Sequence, residues 1–288
     1  MLNDFYYSHP TWLDGLLVIG VWTGLSVLGL VIFNRLVSAP KRAKDNESVG
    51  LTYAIVAVIF AVLVAVIIVD VWETSARADE IATGEANQLS SLVLDSAGLA
   101  PDMALSVHGQ IDQYIDTVVK TEWPAQQAGH QDDKTYEEGW KTLAKLSSDL
   151  AVFEPKTMGE NATKAQMLTS VNELIKARRV RILAASDHLP DVVWLILIIA
   201  GALSVFYTYL FGANTFWIHM TVTGLIASTI ALVFVLIIAL DFPFRGDVSV
   251  SDDAFVGVKA TAGVTAPTSL PPSGATAAPA SAAAAAAH

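Results

Sequence analysis

The sequence predicts an all-α membrane protein with four transmembrane helices, arranged as two hairpins that flank an extramembrane helical bundle. The first observation is a set of four apolar runs, two near the N-terminus and two late in the chain. They cover residues 12–37, 51–72, 192–211 and 216–240. A helix of about 20 apolar residues crosses a hydrocarbon core of about 30 Å. The second observation is the polar, domain-sized segment 73–187 between the two pairs.

The composition agrees with a membrane protein and excludes several functional classes. The mean hydropathy is +0.49, and only 16% of the residues are charged. The net charge is −11, and the segment 73–187 holds 18 acidic against 11 basic side chains. Such an acidic domain argues against nucleic acid as a partner. The absence of cysteine excludes disulfides, thiolate metal sites and cysteine nucleophiles.

The first apolar run is expected to be a retained helix. Residues 1–11 carry no Lys or Arg, whereas a cleaved signal peptide needs a positive start. The helix ends by Pro40, which cannot extend it. Gly20 and Gly24 have the GxxxG spacing that lets a second helix approach closely, although chance explains the pair equally well.

The second helix is expected to leave the membrane and continue to about Ala97, where Gly98 and Pro101 stop it. Within the membrane it carries a stripe of small residues that is typical of a packing face. The stripe consists of Ala54, Ala57, Ala61 and Ala65. Asp70 lies about one turn from the membrane end, where an ion contact and an interfacial carboxylate are both open.

Two further carboxylates, Glu73 and Glu85, lie on the extension of the second helix. In an oligomer, these carboxylates could form rings around an axis. Such rings would favour cations over anions.

Three more amphipathic helices are predicted in the polar segment. Ile111, Tyr114, Ile115, Val118 and Val119 share one helical face, and Trp123-Pro124 is expected to close that helix. The second surrounds Tyr136 to Leu146 and ends before Pro155. The third is long and ends at Leu189-Pro190. With the extension of the second membrane helix, they can bury their apolar stripes in a bundle.

Three arginines close to the end of the last bundle helix are candidates for contact with lipid headgroups. They are Arg178, Arg179 and Arg181. Pairing with acidic side chains of the domain, or concentrating an anion near a pore mouth, are the other roles open to them.

The second hairpin turns around 212–214 and carries His219 one turn into its last helix. This histidine either lines a polar path or lies at the membrane interface beside Trp217. At the exit of that helix, Asp241, Arg245 and Asp247 leave the membrane together. They form either a structural latch, with Arg245 paired to one of the two carboxylates, or part of an ion path.

The predicted division of the chain has five parts. A first transmembrane hairpin, the acidic helical domain and a second hairpin occupy 1–72, 73–187 and 188–242. An exit segment at 243–260 precedes an Ala/Pro-rich tail at 261–288, which is expected to be disordered.

Seven segments together resemble the bestrophin-like family of bacterial membrane proteins, in the order of that family. They are SVGLTYAIVAVIFAVLVAVIIVDVWE (48–73), EANQL (85–89), YIDTVVKTEWP (114–124), RRVRIL (178–183), LPDVVW (189–194), YTYLFG (207–212) and ALDFPFRGDVSVSDDAF (239–255). The last segment is the most specific, and Asp70 departs from an apolar position. The resemblance implies remote kinship with bestrophins, which are pentameric anion channels. It assigns no catalytic residue.

A homo-oligomeric bestrophin-like ion channel is the function that these features favour. The alternative is a non-catalytic scaffold or accessory subunit of a larger membrane complex. We expect no enzymatic activity, cofactor or metal site, because the sequence contains no paired metal ligands, nucleophile elbow, phosphate loop or dinucleotide fingerprint. The expected partners are the lipid bilayer, and further copies or other membrane subunits.

The expected location is the bacterial inner membrane, with the large domain in the periplasm. Lys and Arg favour the cytoplasmic side in short loops. The connection between the first two helices holds Arg35, Lys41, Arg42 and Lys44. The opposing evidence is a set of arginines on the domain side, namely Arg77, Arg178, Arg179, Arg181 and Arg245.

Overall fold

The computed structural model describes residues 11–130, 132–246 and 248–265, and its regular elements in these ranges are helices. The α-helices are α1 (Thr11–Leu36), α2 (Ala39–Arg42), α3 (Asn46–Asp95), α4 (Pro101–Thr117), α5 (Trp123–Gln127), α6 (Asp133–Val152), α7 (Met158–Ala184), α8 (Asp191–Tyr209), α9 (Phe216–Asp241) and α10 (Asp253–Thr265). The predicted all-α class is confirmed. Asp247 and the predicted tail beyond 265 lie outside the described residues.

Four of these helices are long and apolar enough to cross a membrane, as the sequence predicts. They are α1, the first half of α3, α8 and α9. In α1 and α9 the contact faces include Trp22 and Phe234, whose rings pack edge to face at 5.1 Å. Thr23 and Ser228 share a hydrogen bond of 3.0 Å between the same two helices. A hydroxyl pair of this kind fixes the register of two helices in a medium that offers no competing water.

Helix α3 joins the membrane to the bundle without a break. It is 50 residues long, or about 75 Å. Its buried face begins with Val64, Ile67 and Val71 among the membrane helices and continues with Leu89 and Leu92 in the bundle core. The predicted continuation of the second membrane helix to about Ala97 therefore matches the structure closely.

The predicted end of α4 at Trp123-Pro124 is wrong. Residues Val118–Glu122 form a π-helical turn that continues directly into α5. The backbone N–H of Trp123 donates to the carbonyl of Val118, five residues earlier. This wider turn accommodates Pro124, which has no N–H to donate, and the chain therefore passes the proline without stopping.

The bundle consists of the α3 extension, α4, α6 and α7, with α10 packed against α3 and α4. The side chains of Phe255 and Val258 from α10 are buried in its core. On the surface, Lys259 forms a 2.5 Å ion pair with Asp116 of α4. Because α10 continues to Thr265, helix occupies the first positions of the predicted tail.

Polar contacts join the two hairpin turns at the membrane face opposite the bundle. The buried guanidinium of Arg42 donates to the carbonyl oxygens of Tyr209 (2.5 Å) and Phe211 (3.1 Å). The amide of Asn46 makes two hydrogen bonds to the backbone of Gly212, at 2.9 and 2.8 Å. We refer to these contacts between the two hairpin turns as the clamp. A Cβ at Gly212 would collide with backbone atoms of Ala43. The clamp therefore requires glycine in the turn between α8 and α9.

We predict that Gly212→Ala destabilises the protein by about 2–3 kcal/mol, because the added methyl meets backbone that cannot rotate away. The thermal unfolding midpoint of the purified protein, followed by circular dichroism, measures the effect. Gly50→Ala is the matched control, since its Cβ would lie 3.8 Å from the nearest atom, the Phe211 ring. Equal midpoints for the two variants would contradict the clamp.

Candidate functional site

Two carboxylates and two guanidinium groups lie together in the interior of the bundle. Glu85 comes from α3, Glu122 from the π-helical turn, and Arg178 and Arg181 from α7. Each of the four has an exposed fraction of 0%. Burial of a charge is costly unless it is paired and hydrogen-bonded, so this cluster must satisfy itself internally.

The ion pairs are short and mostly bidentate. Arg178 donates from Nη1 and Nη2 to the two oxygens of Glu122, at 3.0 and 2.7 Å. Arg181 donates from Nε to Glu85 (2.7 Å) and from Nη2 to Glu122 (2.8 Å). Glu122 thus bridges both arginines, and the four charges sum to zero. We refer to these four residues as the charge network.

Neutral side chains surround the charge network and satisfy more of its atoms, while Arg178 Nε has no hydrogen-bond partner among the described residues. The hydroxyl of Tyr114 donates to Glu85 and accepts from Arg178 Nη1 at 3.0 Å. Gln126 accepts from Arg181 at 3.3 Å. The indole of Trp140 lies against the Arg178 guanidinium, with its centroid 4.8 Å from Cζ. Flat aromatic faces and amide dipoles therefore replace the water that the charges lost on folding.

The electrostatics keep Arg181 charged and Tyr114 neutral. Burial opposes the charge of Arg181 most strongly, but the combined effect of its neighbours, with attraction to Glu85 the largest of them, outweighs burial and raises the pKa of Arg181 above its ordinary value. Burial, together with the negative charge of Glu85, raises the pKa of the Tyr114 hydroxyl well above its usual 10.0. The Tyr114 hydroxyl therefore keeps its proton and donates a hydrogen bond to Glu85.

Local structure explains how these residues meet. Arg178 and Arg181 are three apart in α7, so they share a helix face. The π-helical turn lies directly before α5 and includes Glu122, which shifts the helical register at that point. A Cβ at Gly139 of α6 would lie 2.5 Å from the Glu122 carboxylate and closer still to Arg178. The absence of a side chain on α6 therefore makes the space for the guanidinium.

The predicted headgroup contact is wrong for Arg178 and Arg181, which are fully enclosed. The other role left open to them, pairing with acidic side chains of the domain, is the one that the structure shows. Their distance from the membrane explains why they do not reach the headgroups. Glu85, the partner of Arg181, lies thirteen residues beyond Trp72 on α3, or about 20 Å above the end of the apolar run. The headgroup layer is only about 5–8 Å thick. Arg179 is exposed, so headgroup contact stays a prediction for this residue.

The two candidate carboxylates on the α3 extension, Glu73 and Glu85, lie in different environments. Glu85 is buried in the charge network, so the prediction that it lines an oligomer axis is wrong. Glu73 is exposed on the outer side of α3 and stays a candidate for such a ring.

Asp70 and Asp241 meet at the junction between membrane and bundle. They line a cavity of about 280 Å³ with Asp187 and His188. Both oxygens of Asp241 are used, because they accept from the backbone N–H of Leu189 (2.7 Å) and from Trp194 Nε1 (3.0 Å). Asp241 therefore connects the exit of α9 to the start of α8.

The partner of Asp241 differs from the predicted one, Arg245. The guanidinium of Arg245 lies over the ring of Phe242, 4.3 Å from its centroid. The backbone of Gly129, at a φ of 75°, approaches the same guanidinium. The other predicted partner, Asp247, lies outside the described residues.

His219 is buried near the turn between α8 and α9. Its Nε2 lies 2.7 Å from the carbonyl oxygen of Thr208, and Thr208 is hydrogen-bonded to Thr223 at 3.2 Å. This contact ties α9 to α8 at that end of the second hairpin.

Sequence reasoning left pairing with acidic side chains open for the arginines but did not identify their partners, although a signal for them was present. Trp123 stood out only at the expected end of a helix, and Tyr114 only as a position on an apolar face. The signal is that four of the segments shared with the family each contribute to one core, through Glu85, Tyr114 with Glu122, Arg178 with Arg181, and Phe255. Among the described residues, no group of three or more acidic or histidine side chains is arranged to hold a metal ion.

Comparison with known proteins agrees with this fold. The family model described as Bestrophin-like domain matches residues 20–255. A crystal structure of a membrane protein matches with a TM-score of 0.62 and 13% identity, covering 87% of this chain and 99% of the other. That likeness concerns the fold alone. No curated protein matches the chain.

We predict that Gly139→Ala disrupts the charge network and costs about 3 kcal/mol, because the methyl forces apart ions that have no water to replace their partners. The thermal unfolding midpoint measures the loss. Gly109→Ala on α4 is the control, since no atom lies within 4 Å of its Cβ. An unchanged midpoint in Gly139→Ala would show that the network can relax.

A second prediction concerns alkaline pH. Because the folded state holds the Tyr114 proton beyond the unfolded pKa of about 10, its stabilising effect is complete below pH 10 and declines as the pH rises further. Tyr114→Phe should therefore be less stable at neutral pH, by about 1–3 kcal/mol, but lose stability less steeply above pH 10. Chemical unfolding at several pH values tests both parts. If the stability of Tyr114→Phe and of the unsubstituted protein fell with the same slope above pH 10, this prediction would be wrong. Tyr207→Phe on α8 serves as control.

Proposed function

The chain belongs to the bestrophin-like family, and on that premise we propose that it assembles into a homo-oligomeric ion channel in a bacterial inner membrane. The observation that carries this proposal is the outer face of α3. This face points away from the core of its own chain along the whole membrane span and for several turns beyond it.

The outer face of α3 is apolar inside the membrane and acidic above it. Ile55, Val62, Val66 and Val69 are 57%, 60%, 64% and 55% exposed. Spacings of seven, four and three residues keep them on one side of the helix. Exposed carboxylates of Glu73 and Glu80 follow on the same side. If copies of the chain surround an axis with this face inward, an apolar constriction leads to rings of negative charge.

Small residues beside this face support the packing of neighbouring copies. Ala54, Ala61 and Ala65 of α3 are exposed and Ala57 is half-buried. On α1, Gly20 and Gly24 are exposed, and a Cβ at either position would meet no atom within 4 Å. Small surfaces allow helix backbones to approach closely in lipid, where van der Waals contact supplies much of the association energy.

The arrangement of charge supports a periplasmic bundle. Arg35, Lys41 and Lys44 are exposed at the opposite end of the membrane helices. Arg178 and Arg181, which argue for the reverse orientation, are neutralised by buried carboxylates and lie about 20 Å from the membrane. The positive-inside rule concerns charges near the membrane ends, so these two arginines carry little weight in it.

A groove between α6 and α7 favours the second candidate function, an accessory subunit of a larger complex. The groove has a volume of about 660 Å³ and includes Tyr136, Trp140, Ile182 and Leu183. Leu183 is 67% exposed. An apolar groove on the bundle is a surface that a partner subunit could cover.

The proposal predicts a cation-selective conductance when the purified protein is placed in planar bilayers. Glu73→Gln should lower the permeability ratio of K⁺ over Cl⁻ by roughly fivefold, because each copy loses a charge at the pore mouth. Reversal potentials in asymmetric KCl measure the ratio. Glu154→Gln, an exposed carboxylate in the loop between α6 and α7, should leave it unchanged.

Two results would contradict a channel. One is the absence of current over a range of pH, calcium and voltage, from protein that migrates as a defined homo-oligomer. The other is co-purification of a stoichiometric partner under gentle solubilisation, identified by mass spectrometry, which would favour the accessory role.

A further inference from the structure

The outer face of α3 is bordered by two rows of side chains, which we call the alanine edge and the arginine edge. The alanine edge repeats at spacings of seven, four, seven and seven residues and consists of Ala54, Ala61, Ala65, Trp72 and Asp79. The arginine edge repeats at spacings of four, seven and seven residues and consists of Ile59, Leu63, Asp70 and Arg77. Such spacings keep each row on one side of the helix. Every member is exposed except Leu63, which is half-buried.

The two edges are related by a constant offset of two residues. Each residue of the arginine edge has a counterpart two positions later on the alanine edge, and the pairs are Ile59 and Ala61, Leu63 and Ala65, Asp70 and Trp72, and Arg77 and Asp79. Two positions along an α-helix correspond to a rotation of about 200° and a rise of about 3 Å. Counterparts therefore lie on opposite sides of one helix, but nearly level on two parallel helices that stand side by side.

Counterparts within the membrane complement each other in size and in hydrogen bonding. Ile59 is 64% exposed, and its counterpart Ala61 has a side chain small enough to leave room for it. At the membrane end, Trp72 is 64% exposed and carries an indole N–H donor, while its counterpart Asp70 carries acceptors. Close packing beside small residues and polar contacts are the interactions that associate helices in lipid.

The last pair, Arg77 and Asp79, is complementary in charge and is not satisfied within one chain. Neither side chain forms an ion pair with any described residue. Asp79 has no basic residue three or four positions away on α3, the spacings at which side chains meet on a helix surface. Arg77 has Glu73 and Glu80 at those spacings but is paired with neither. An exposed cation and an exposed anion at matching heights select the alignment of two copies, because like charges repel.

We propose that the arginine edge of α3 in one copy packs against the alanine edge of α3 in the next copy, with Arg77 paired to Asp79 of that copy. The contact joins two different surfaces, so repeating it by rotation closes a ring instead of pairing two copies. The apolar outer face, with Glu73 and Glu80 above it, then faces the axis of the ring. This inference rests on the proposed homo-oligomer and adds which edges meet and which charges select the partner.

Disulfide trapping tests the contact, because the chain contains no cysteine of its own. In membranes oxidised with copper phenanthroline, full-length protein carrying both Ile59→Cys and Ala61→Cys should form a ladder of linked oligomers on a non-reducing gel. The two thiols of one chain cannot join, because they point to opposite sides of the helix. Either single variant should stay monomeric, and a linked dimer from one of them would overturn the contact between unlike edges.

The matched control carries Val56→Cys and Val58→Cys, which have the same offset of two residues. Val56 is half-buried and lies three residues from Tyr53, whose ring stacks on Tyr207 of α8. One thiol of the control therefore faces its own chain, and no ladder should form. A ladder as extensive as that of the test pair would mean that the thiols collide without a defined contact, and the proposal would be wrong.

Charge reversal tests the ion pair. Arg77→Asp should raise the protein concentration at which the oligomer dissociates in detergent by roughly fivefold, because repulsion replaces an exposed ion pair at every contact. Native mass spectrometry of a dilution series measures this concentration. Combining Arg77→Asp with Asp79→Arg exchanges the two charges and should return the concentration to its original value. Equal dissociation of the single and the double variant would overturn the pairing.

Failure of this contact and failure of the channel give different results. A defined homo-oligomer that forms no ladder overturns the contact and leaves the oligomer in place. A ladder from protein that carries no current in planar bilayers supports the contact and removes the channel. A monomer, or a different subunit bound to the outer face of α3, overturns both.

Discussion

The bundle depends on the neutralisation of two buried arginines. Arg178 and Arg181 lie on one face of α7, and neither can be enclosed unless carboxylates from other helices reach it. Glu85 fixes the height of α7 along α3, and Glu122 fixes the end of α4 against both. Apolar stripes alone tolerate sliding of helices by a turn. Bidentate ion pairs do not, so the register of the bundle is set by charge and its cohesion by apolar packing.

This register extends into the membrane because two connections between the halves are stiff. Helix α3 is continuous from Asn46 to Asp95. If the membrane half of α3 tilts as a rigid rod, Glu85 in the bundle moves with it. The exit of α9 leads to Phe244 and Phe255, whose rings pack on Trp123 at 5.4 and 5.5 Å. Trp123 also adjoins Arg181, with its centroid 5.6 Å from Cζ. Both connections therefore end at the charge network.

Sequence periodicity was sufficient for the helices and insufficient for their contacts. The four membrane spans, the long α3 and the bundle helices follow from apolar spacing and from proline and glycine positions. The π-helical turn before Pro124 was not predictable in this way, because it places Glu122 in the core, where its partners come from a distant part of the chain. The arginines were misplaced for a similar reason. Arg178 is close to α8 along the chain, but a turn at 185–186 and an irregular segment at 187–190 lie between the two helices, and the arginine side chains face the bundle core.

The charge network also indicates where chain-specific properties lie. Four of the segments shared with the family meet in a core whose charges cancel and have no exposed surface, so they are not accessible to a ligand. These residues specify the frame of the fold, and contacts with ligands or partners fall to its exposed surfaces. Asp70 is such a position, since it departs from the apolar residue that the resemblance implies and is exposed at the junction cavity beside Asp187. A carboxylate there adds negative charge at the membrane edge while leaving the core unchanged, so the local potential can vary without cost to the fold.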